Sequence, residues 1–190
     1  MADTILDGLG LGYTAGVDSD NRLMVSSVQE DKILEASQQG NFYFISCGVL
    51  TLTSDSASAV FSFSNNENRA LVVTRIIFAA GIATNATNDL CVLASYMNPD
   101  GLSSSNGAMP IINGNMGSSN IIDITSELGE EAATVTGGTQ GPAFYYKNAN
   151  TSLFDTSVTL PKGTGLAFSV TPPTGNTSMP VSVALNTYLK

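Results

Sequence analysis

Val60-Phe61-Ser62-Phe63-Ser64, followed by Asn65-Asn66-Glu67-Asn68 and then by the run from Ala70 to Ala80, is the stretch that decides the fold. Phe61 and Phe63 alternate with Ser62 and Ser64, the period of two that sends successive side chains to opposite faces of a strand. The Asn-rich stretch after it tolerates left-handed backbone and reads as a turn. Leu71, Val72, Val73, Thr74, Ile76 and Ile77 then make a long strand rich in β-branched side chains, which suit a pleated surface. Phe61 and Phe63, with Phe168 further on, are core candidates.

The same signal spreads in both directions. Upstream, Phe42-Tyr43-Phe44-Ile45 is a short apolar run and Leu50-Thr51-Leu52-Thr53 alternates. Downstream, Leu90 to Met97 is a strand stopped by Pro99-Asp100-Gly101, where Pro presets φ and Gly accepts a positive one. Leu102 to Asn120 reads as a long surface loop carrying a short strand at Met109 to Ile112. Ile121 to Thr125, Ala133 to Thr136, Ala143 to Tyr146 and Leu153 to Val158 are weaker strands, separated by Gly137-Gly138, Gly141-Pro142 and Asn148-Ala149-Asn150. Leu166, Phe168 and Val170, then Val181, Val183 and Leu185, restore clean alternation. Many short strands joined by Gly, Pro and Asn turns specify an all-β chain, an antiparallel β-sandwich or barrel.

Helix is expected once. Ser26 or Ser27 caps it, Gln29, Glu30 and Asp31 fill its first turn, Ile33, Leu34 and Ala36 form its apolar face, and Gly40 stops it. A further helical turn is possible around Thr125 to Glu131. Residues 1–20 differ from the rest: Asp7-Gly8-Leu9-Gly10-Leu11-Gly12-Tyr13 mixes glycine with isolated apolar residues and has no period, so it reads as an extended arm that orders against something else. Val17 to Asn21 is a turn and Arg22 to Val28 a strand. The organisation expected is an arm, 1–20, and a single sandwich domain, 21–190.

Composition narrows the chemistry. The 190 residues carry 7 Lys+Arg and 16 Asp+Glu, a net charge of −9, with 22 Ser, 19 Thr, 16 Asn and 18 Gly and no His or Trp. Nucleic-acid binding needs clustered cations, and none occur. Lack of His removes the commonest general base and metal ligand. The 43% hydrophobic content is too high for disorder. Met1-Ala2-Asp3-Thr4 has neither a basic nor an apolar leader region, and the longest apolar run, Ile76 to Ala83, is too short for a bilayer, so synthesis in a cytoplasm without export is expected. Cys47 and Cys91 sit in apolar sequence without C-x-x-C spacing and read as buried thiols.

The motifs that resemble catalytic ones lack their context. Gly8-x-Gly10-x-Gly12 has no strand before it or helix after it, so it is an arm and not a phosphate loop. No G-x-S-x-G elbow is present. Glu130-Glu131, with Asp123 and Glu127, is the densest acidic group and reads as a solvated loop, although paired carboxylates without His can cleave glycosides. Asp18-Ser19-Asp20-Asn21 offers alternate oxygen ligands but lacks the glycine and distal Glu of a calcium loop, so a turn is expected. No catalytic residue, metal or cofactor is assigned. Sequons at Asn85, Asn150 and Asn176 mark surface loops. Tyr145 and Tyr146 are neighbours and so face opposite ways in a strand, one in the core and one at the rim.

Gly16-Val17-Asp18-Ser19-Asp20-Asn21-Arg22-Leu23-Met24-Val25, Gly40-Asn41-Phe42-Tyr43, Leu50-Thr51-Leu52-Thr53 and Ser62-Phe63-Ser64-Asn65-Asn66-Glu67 together resemble small virion structural proteins of tailed bacteriophages, over roughly residues 16 to 77. Leu160-Pro161-Lys162-Gly163-Thr164-Gly165 and the two alternating strands after it are similar to the closing strands of jelly-roll-like virion proteins. The resemblance implies a jelly-roll-like, often trimeric, non-enzymatic protein that decorates or cements a capsid, with the major capsid protein as its partner and the virion, assembled in the host cytoplasm, as its location. On this reading Ile5, Leu6, Leu9, Leu11 and Tyr13 of the arm insert between capsid subunits. The alternative is a tail or baseplate module that binds a host surface glycan through Leu102 to Asn120 and the Tyr145-Tyr146 region.

Overall fold

The computed structural model describes residues 5–6, 14–17, 23–24, 32–88, 90–147 and 149–190. The chain divides into two units, Met1–Asp31 and Lys32–Lys190. In the first, β1 (Ile5–Leu6) pairs antiparallel with β2 (Thr14–Val17), and β2 with β3 (Leu23–Met24). The expected turn at Asp18 to Asn21, the helix cap at Ser26 or Ser27 and the acidic turn at Gln29 to Asp31 lie outside the described residues.

The second unit opens with α1 (Lys32–Gln38). Gly40 ends this helix as the sequence requires. With φ at 70°, it lets its own N–H reach Ser37 O (3.0 Å) and that of Asn41 reach Ala36 O (2.7 Å), the paired bonds of a Schellman stop. The apolar face expected of the helix is corrected. Ala36 is buried, but Ile33 and Leu34 are exposed, because a seven-residue helix lying on the sheet turns one small side chain towards it.

The strands that follow are β4 (Phe42–Ser46), β5 (Leu50–Leu52), β6 (Ser58–Asn65), β7 (Leu71–Ala80), β8 (Leu90–Met97), β9 (Gly101–Leu102), β10 (Ile111–Asn113), β11 (Ile124–Leu128), β12 (Val135–Thr136), β13 (Thr139–Lys147), β14 (Asn150–Leu160), β15 (Gly165–Thr171) and β16 (Met179–Leu189). One sheet runs β10-β4-β16-β7-β14, with β5 also on β16. The other runs β11-β6-β15-β8-β13. Taking the eight long strands β4, β6, β7, β8, β13, β14, β15 and β16 in chain order, the first pairs with the eighth, the second with the seventh, the third with the sixth and the fourth with the fifth. A long hairpin rolled into two sheets gives this nesting, which is the jelly roll. The sequence-derived fold class, an antiparallel sandwich with one short helix, is the fold observed.

Inward side chains of both sheets make the core: Tyr43, Ile45, Leu52, Phe61, Phe63, Leu71, Phe78, Leu93, Leu166, Phe168, Met179 and Leu185 are all buried. Phe61 stacks at a tilt on Phe168 across the paired strands, ring centres 5.2 Å apart, within the range that adds to simple burial. The helical turn expected at Thr125 to Glu131 is instead the strand β11. Ile124, Ser126 and Leu128 keep a period of two against Asn65, Phe63 and Phe61 of β6, and Ile124 and Leu128 pack on the core.

Residues 98–138, between β8 and β13, do more than form a surface loop. They add β10 to one sheet and β11 to the other, both on the same side of the sandwich. They also fold the ribbon β9–β12 over β6 and β15. Beneath it the outward residues are small, Ala59, Ser62, Ala167 and Ser169, and all are buried. Ala59 N–H donates to Ala133 O (2.7 Å), and Ser58 Oγ accepts from Ala132 N–H (3.0 Å). A Cβ on Gly129 would fall on the carbonyl of Ala59. Ser62, on the face opposite Phe61 and Phe63, is therefore covered by the protein's own chain.

Candidate interaction surface

Pockets offer little room for a substrate. The depression beside α1, lined by residues that include Lys32, Glu35, Arg69 and Tyr188, has a volume of about 210 Å³. Those beside β10 and at β5–β16 measure about 100 and 220 Å³. Ligand clefts run from about 300 to 1,000 Å³.

The acidic residues are dispersed over structural tasks. The Glu131 carboxylate accepts from Thr53 N–H (2.8 Å) and Thr53 Oγ (2.6 Å), pinning the chain after β5, and these hydrogen bonds hold its pKa below the usual value. Glu127 Oε2 accepts from Leu102 N–H (2.7 Å), and Asp123 accepts from the Asn66 amide (3.2 Å). No group of three or more His, Cys, Asp or Glu side chains is placed to hold a metal among the described residues. Asp18, Asp20 and the Gly8-x-Gly10-x-Gly12 stretch lie outside them. Cys47 and Cys91 are free and buried on opposite sheets. Burial raises both thiol pKa values, that of Cys91 to about 11.

Of the arm residues, Ile5 and Leu6 form β1, paired with Ala15 and Thr14 through the backbone. Leu9, Leu11 and Tyr13 lie outside the described residues. Among the sequons, Asn85 and Asn150 are exposed, but Asn176 is buried. Its side-chain amide donates to Leu52 O (3.0 Å) and Ser54 O (3.1 Å), so it is a tie between loops and not a surface site.

Among the described residues of the second unit, the outer face of the β4 sheet beyond α1 and the side of β13 and β14 carry no covering layer. Across the outer face of the β4 sheet, register aligns Ile112, Phe44, Asn186, Arg75 and Asp155 in one row, and Ser46, Ala184, Ile77 and Leu153 in the next. Ile112 is 60% exposed, Phe44 41% and Leu153 62%. The charges in these rows are Arg75 and Asp155, which cancel through a 2.7 Å ion pair. The other sheet has the β9–β12 ribbon over its outer face.

The open side is that of β13 and β14. An aromatic plug fills the gap between the sheets there: Phe154 sits 5.4 Å from Phe144 and 5.6 Å from Tyr146, which is itself 5.1 Å from Phe78. Tyr146 faces the core and Tyr145 faces out, 72% exposed, the division that adjacent positions in a strand impose. The Tyr146 hydroxyl is buried with no hydrogen-bond partner, and burial pushes its pKa up to about 12. Sequence reading missed this plug, because contacts between β7, β13 and β14 depend on pairing over distance. The two halves of the expected glycan site are not brought together. Asn106 to Asn120 runs along the β10–β11 side, bonded to Leu128, Phe42 and Gln39. Tyr145 stands on the far edge, four strand spacings or roughly 19 Å across the sheet.

No protein-family model matches the chain, and no curated protein matches it. Among solved structures it is similar, at 12% identity and a TM-score of 0.22, to the VP2 subviral particle of infectious bursal disease virus, covering 99% of this chain and 47% of that one. A structure of derived T=1 particles of the same virus gives 14% identity and a TM-score of 0.17, covering 98% of this chain and 45% of that one. The chain spans about half the length of the proteins it matches. At these scores the jelly-roll assignment rests on the strand pairing above.

Proposed function

We propose that the chain is a non-enzymatic structural protein of a virion, a decoration protein of a tailed bacteriophage that binds and stabilises the capsid shell. The observation that carries this reading is the open outer face of the β4 sheet, a broad and almost uncharged surface on a protein of net charge −9. The two rows described above carry one charge pair, Arg75 and Asp155, already joined, and such a surface loses little on desolvation when it packs against another protein. In this reading the chain acts as a homotrimer on the major capsid protein, and Ile5, Leu6, Leu9, Leu11 and Tyr13 of the N-terminal segment contact neighbouring capsid subunits. Ligation of several subunits by one molecule stabilises the assembled shell by mass action and by effective concentration.

Electron microscopy of the source particle with the chain labelled tests the location: density on the shell supports the reading, and density on the tail overturns it. Deleting residues 1–15 should leave the thermal transition of the sandwich in place while abolishing shell binding. Retained binding would remove the N-terminal segment from the mechanism. The exposure of Tyr145 favours a second reading, stacking on a host glycan at the β13 edge alone. A glycan array with Tyr145→Ala as control distinguishes it.

A further inference from the structure

The sandwich has four long-side edges, and among the described residues three of them are bonded or blunted against pairing. The outer edge of β11 is bonded by the chain beside it: Asn106 N–H donates to Leu128 O (2.7 Å), Leu128 N–H to Gly107 O (2.7 Å) and Met109 N–H to Ser126 Oγ (3.2 Å). β10 is three residues long. β13 carries Pro142, a bulge between Gln140 and Ala143, and Lys147. Pro, Lys, bulges and short length are the devices by which proteins stop an edge from pairing with another chain. β14 is eleven residues long with no Pro, Lys or Gly, and from Asn150 to Asp155 it pairs regularly with Ala80 to Arg75. Its bulge comes only after Asp155.

We propose that β14 pairs antiparallel with β14 of a second copy of this chain across a two-fold axis, joining the two β4 sheets into one. A strand that meets its own copy antiparallel makes an isologous contact, which closes at two chains. Charge sets the register. Centring on Asp155 would oppose two carboxylates, whereas centring on Leu153 places Leu153 against its counterpart and Asp155 against the Thr151 hydroxyl. The outward side chains then meet as Leu with Leu and Thr with Asp, and the bulge after Asp155 ends the pairing. The paired stretch from Thr151 to Asp155 spans about 17 Å and the sheets lie about 10 Å apart, so the contact, side chains included, offers roughly 250 Å² per copy. The total of about 500 Å² is below that of a stable dimer and fits a weak contact held by main-chain hydrogen bonds. Phe144, 40% exposed beside this edge, is shielded by the same pairing. The contact is independent of the virion reading and is tested on the isolated full chain.

The test is Leu153→Cys under mild oxidation on non-reducing gels. Opposed residues of an antiparallel pair have Cα atoms about 4.5–5.5 Å apart, within disulfide reach, and the native cysteines are buried. Leu153→Cys should link into pairs, whether or not the chain also trimerises, while the more exposed Tyr145→Cys should not. Equal linking of the two variants, or none, overturns the proposal. Leu153→Lys and Leu153→Glu should each lower the sedimentation mass at about 100 µM, and a one-to-one mixture should restore it. A mass unchanged by both charges also overturns the pairing. If the lysine variant does not fold, the cysteine pair still decides.

Discussion

Asn65→Ala is expected to cost about 3 kcal/mol of folding stability, and the figure follows from three hydrogen bonds. Asn65 is fully buried at the end of β6. Its amide nitrogen donates to Arg69 O and Leu160 O, both at 2.9 Å, and its oxygen accepts from Glu67 N–H at 3.0 Å. The side chain thereby ties the β6–β7 turn to the end of β14. Alanine removes the buried bond to the Leu160 carbonyl, about 1–3 kcal/mol, and two partly buried bonds at about 0.5–1.5 kcal/mol each, part of which water restores. For a chain of this size the loss lowers Tm by about 6–12 °C. Urea unfolding of Asn65→Ala beside Asn150→Ala, an exposed control, measures it. A cost below about 1 kcal/mol for Asn65→Ala would refute the reasoning, since that is the ordinary scale of surface substitutions. Asn65→Asp adds a sign test. Its carboxylate would face two carbonyl oxygens, so its folded pKa rises above the unfolded value of about 3.9. The folded state then holds the proton longer, and this variant must lose stability as pH rises from about 4 to neutrality.

Tyr146→Phe removes a buried hydroxyl that has no partner and should raise stability by about 1 kcal/mol; a thermal scan showing a lower Tm contradicts this. Glu131 has its pKa lowered by Thr53, so its contribution is present above the unfolded carboxyl pKa of about 4.3 and is lost as pH falls through the folded one. Thr53→Val should flatten that part of the pH–stability curve, and an unchanged curve assigns the acid dependence elsewhere. Gly129→Ala should cost several kcal/mol or lift the ribbon from β6, because the new methyl meets the Ala59 backbone; near-neutral stability with unchanged protection of the Ala59 amide from hydrogen exchange argues otherwise. Cys47 and Cys91 should resist a thiol reagent at pH 8 until denaturant is added, as buried thiols with raised pKa values do.

Local pattern carried most of the fold. The alternation at Val60 to Ser64, the β-branched run ending at Ala80 and the stop after Met97 each became a strand within a few residues of the expected bounds. The misreadings share a cause. Thr125 to Glu131 looked helical because its period-two residues, Ile124 and Leu128, only make sense once β6 is known to lie alongside. Asn176 read as a surface sequon because its partners, Leu52 and Ser54, are over a hundred residues away. Nothing local shows that the insertion returns to cover Ser62, on the face opposite Phe61 and Phe63. The open face and the unblunted β14 edge were illegible for the same reason, since both are defined by what does not return.

The nesting of first strand with last also has a consequence for synthesis. β16 lies between β4 and β7 and pairs with β5 as well, so the middle of that sheet is made after both of its neighbours. Until Met179–Leu189 arrives, β4 and β7 have no common neighbour, and the rows of Ile45, Leu52, Val73 and Phe78 have nothing to close against. Such distant pairing places folding in the slow, millisecond-to-second range. Until β16 is made, the unpaired edges of β4 and β7 are exposed to aggregation, so the delay between β7 and β16 sets how long the nascent sheet is vulnerable.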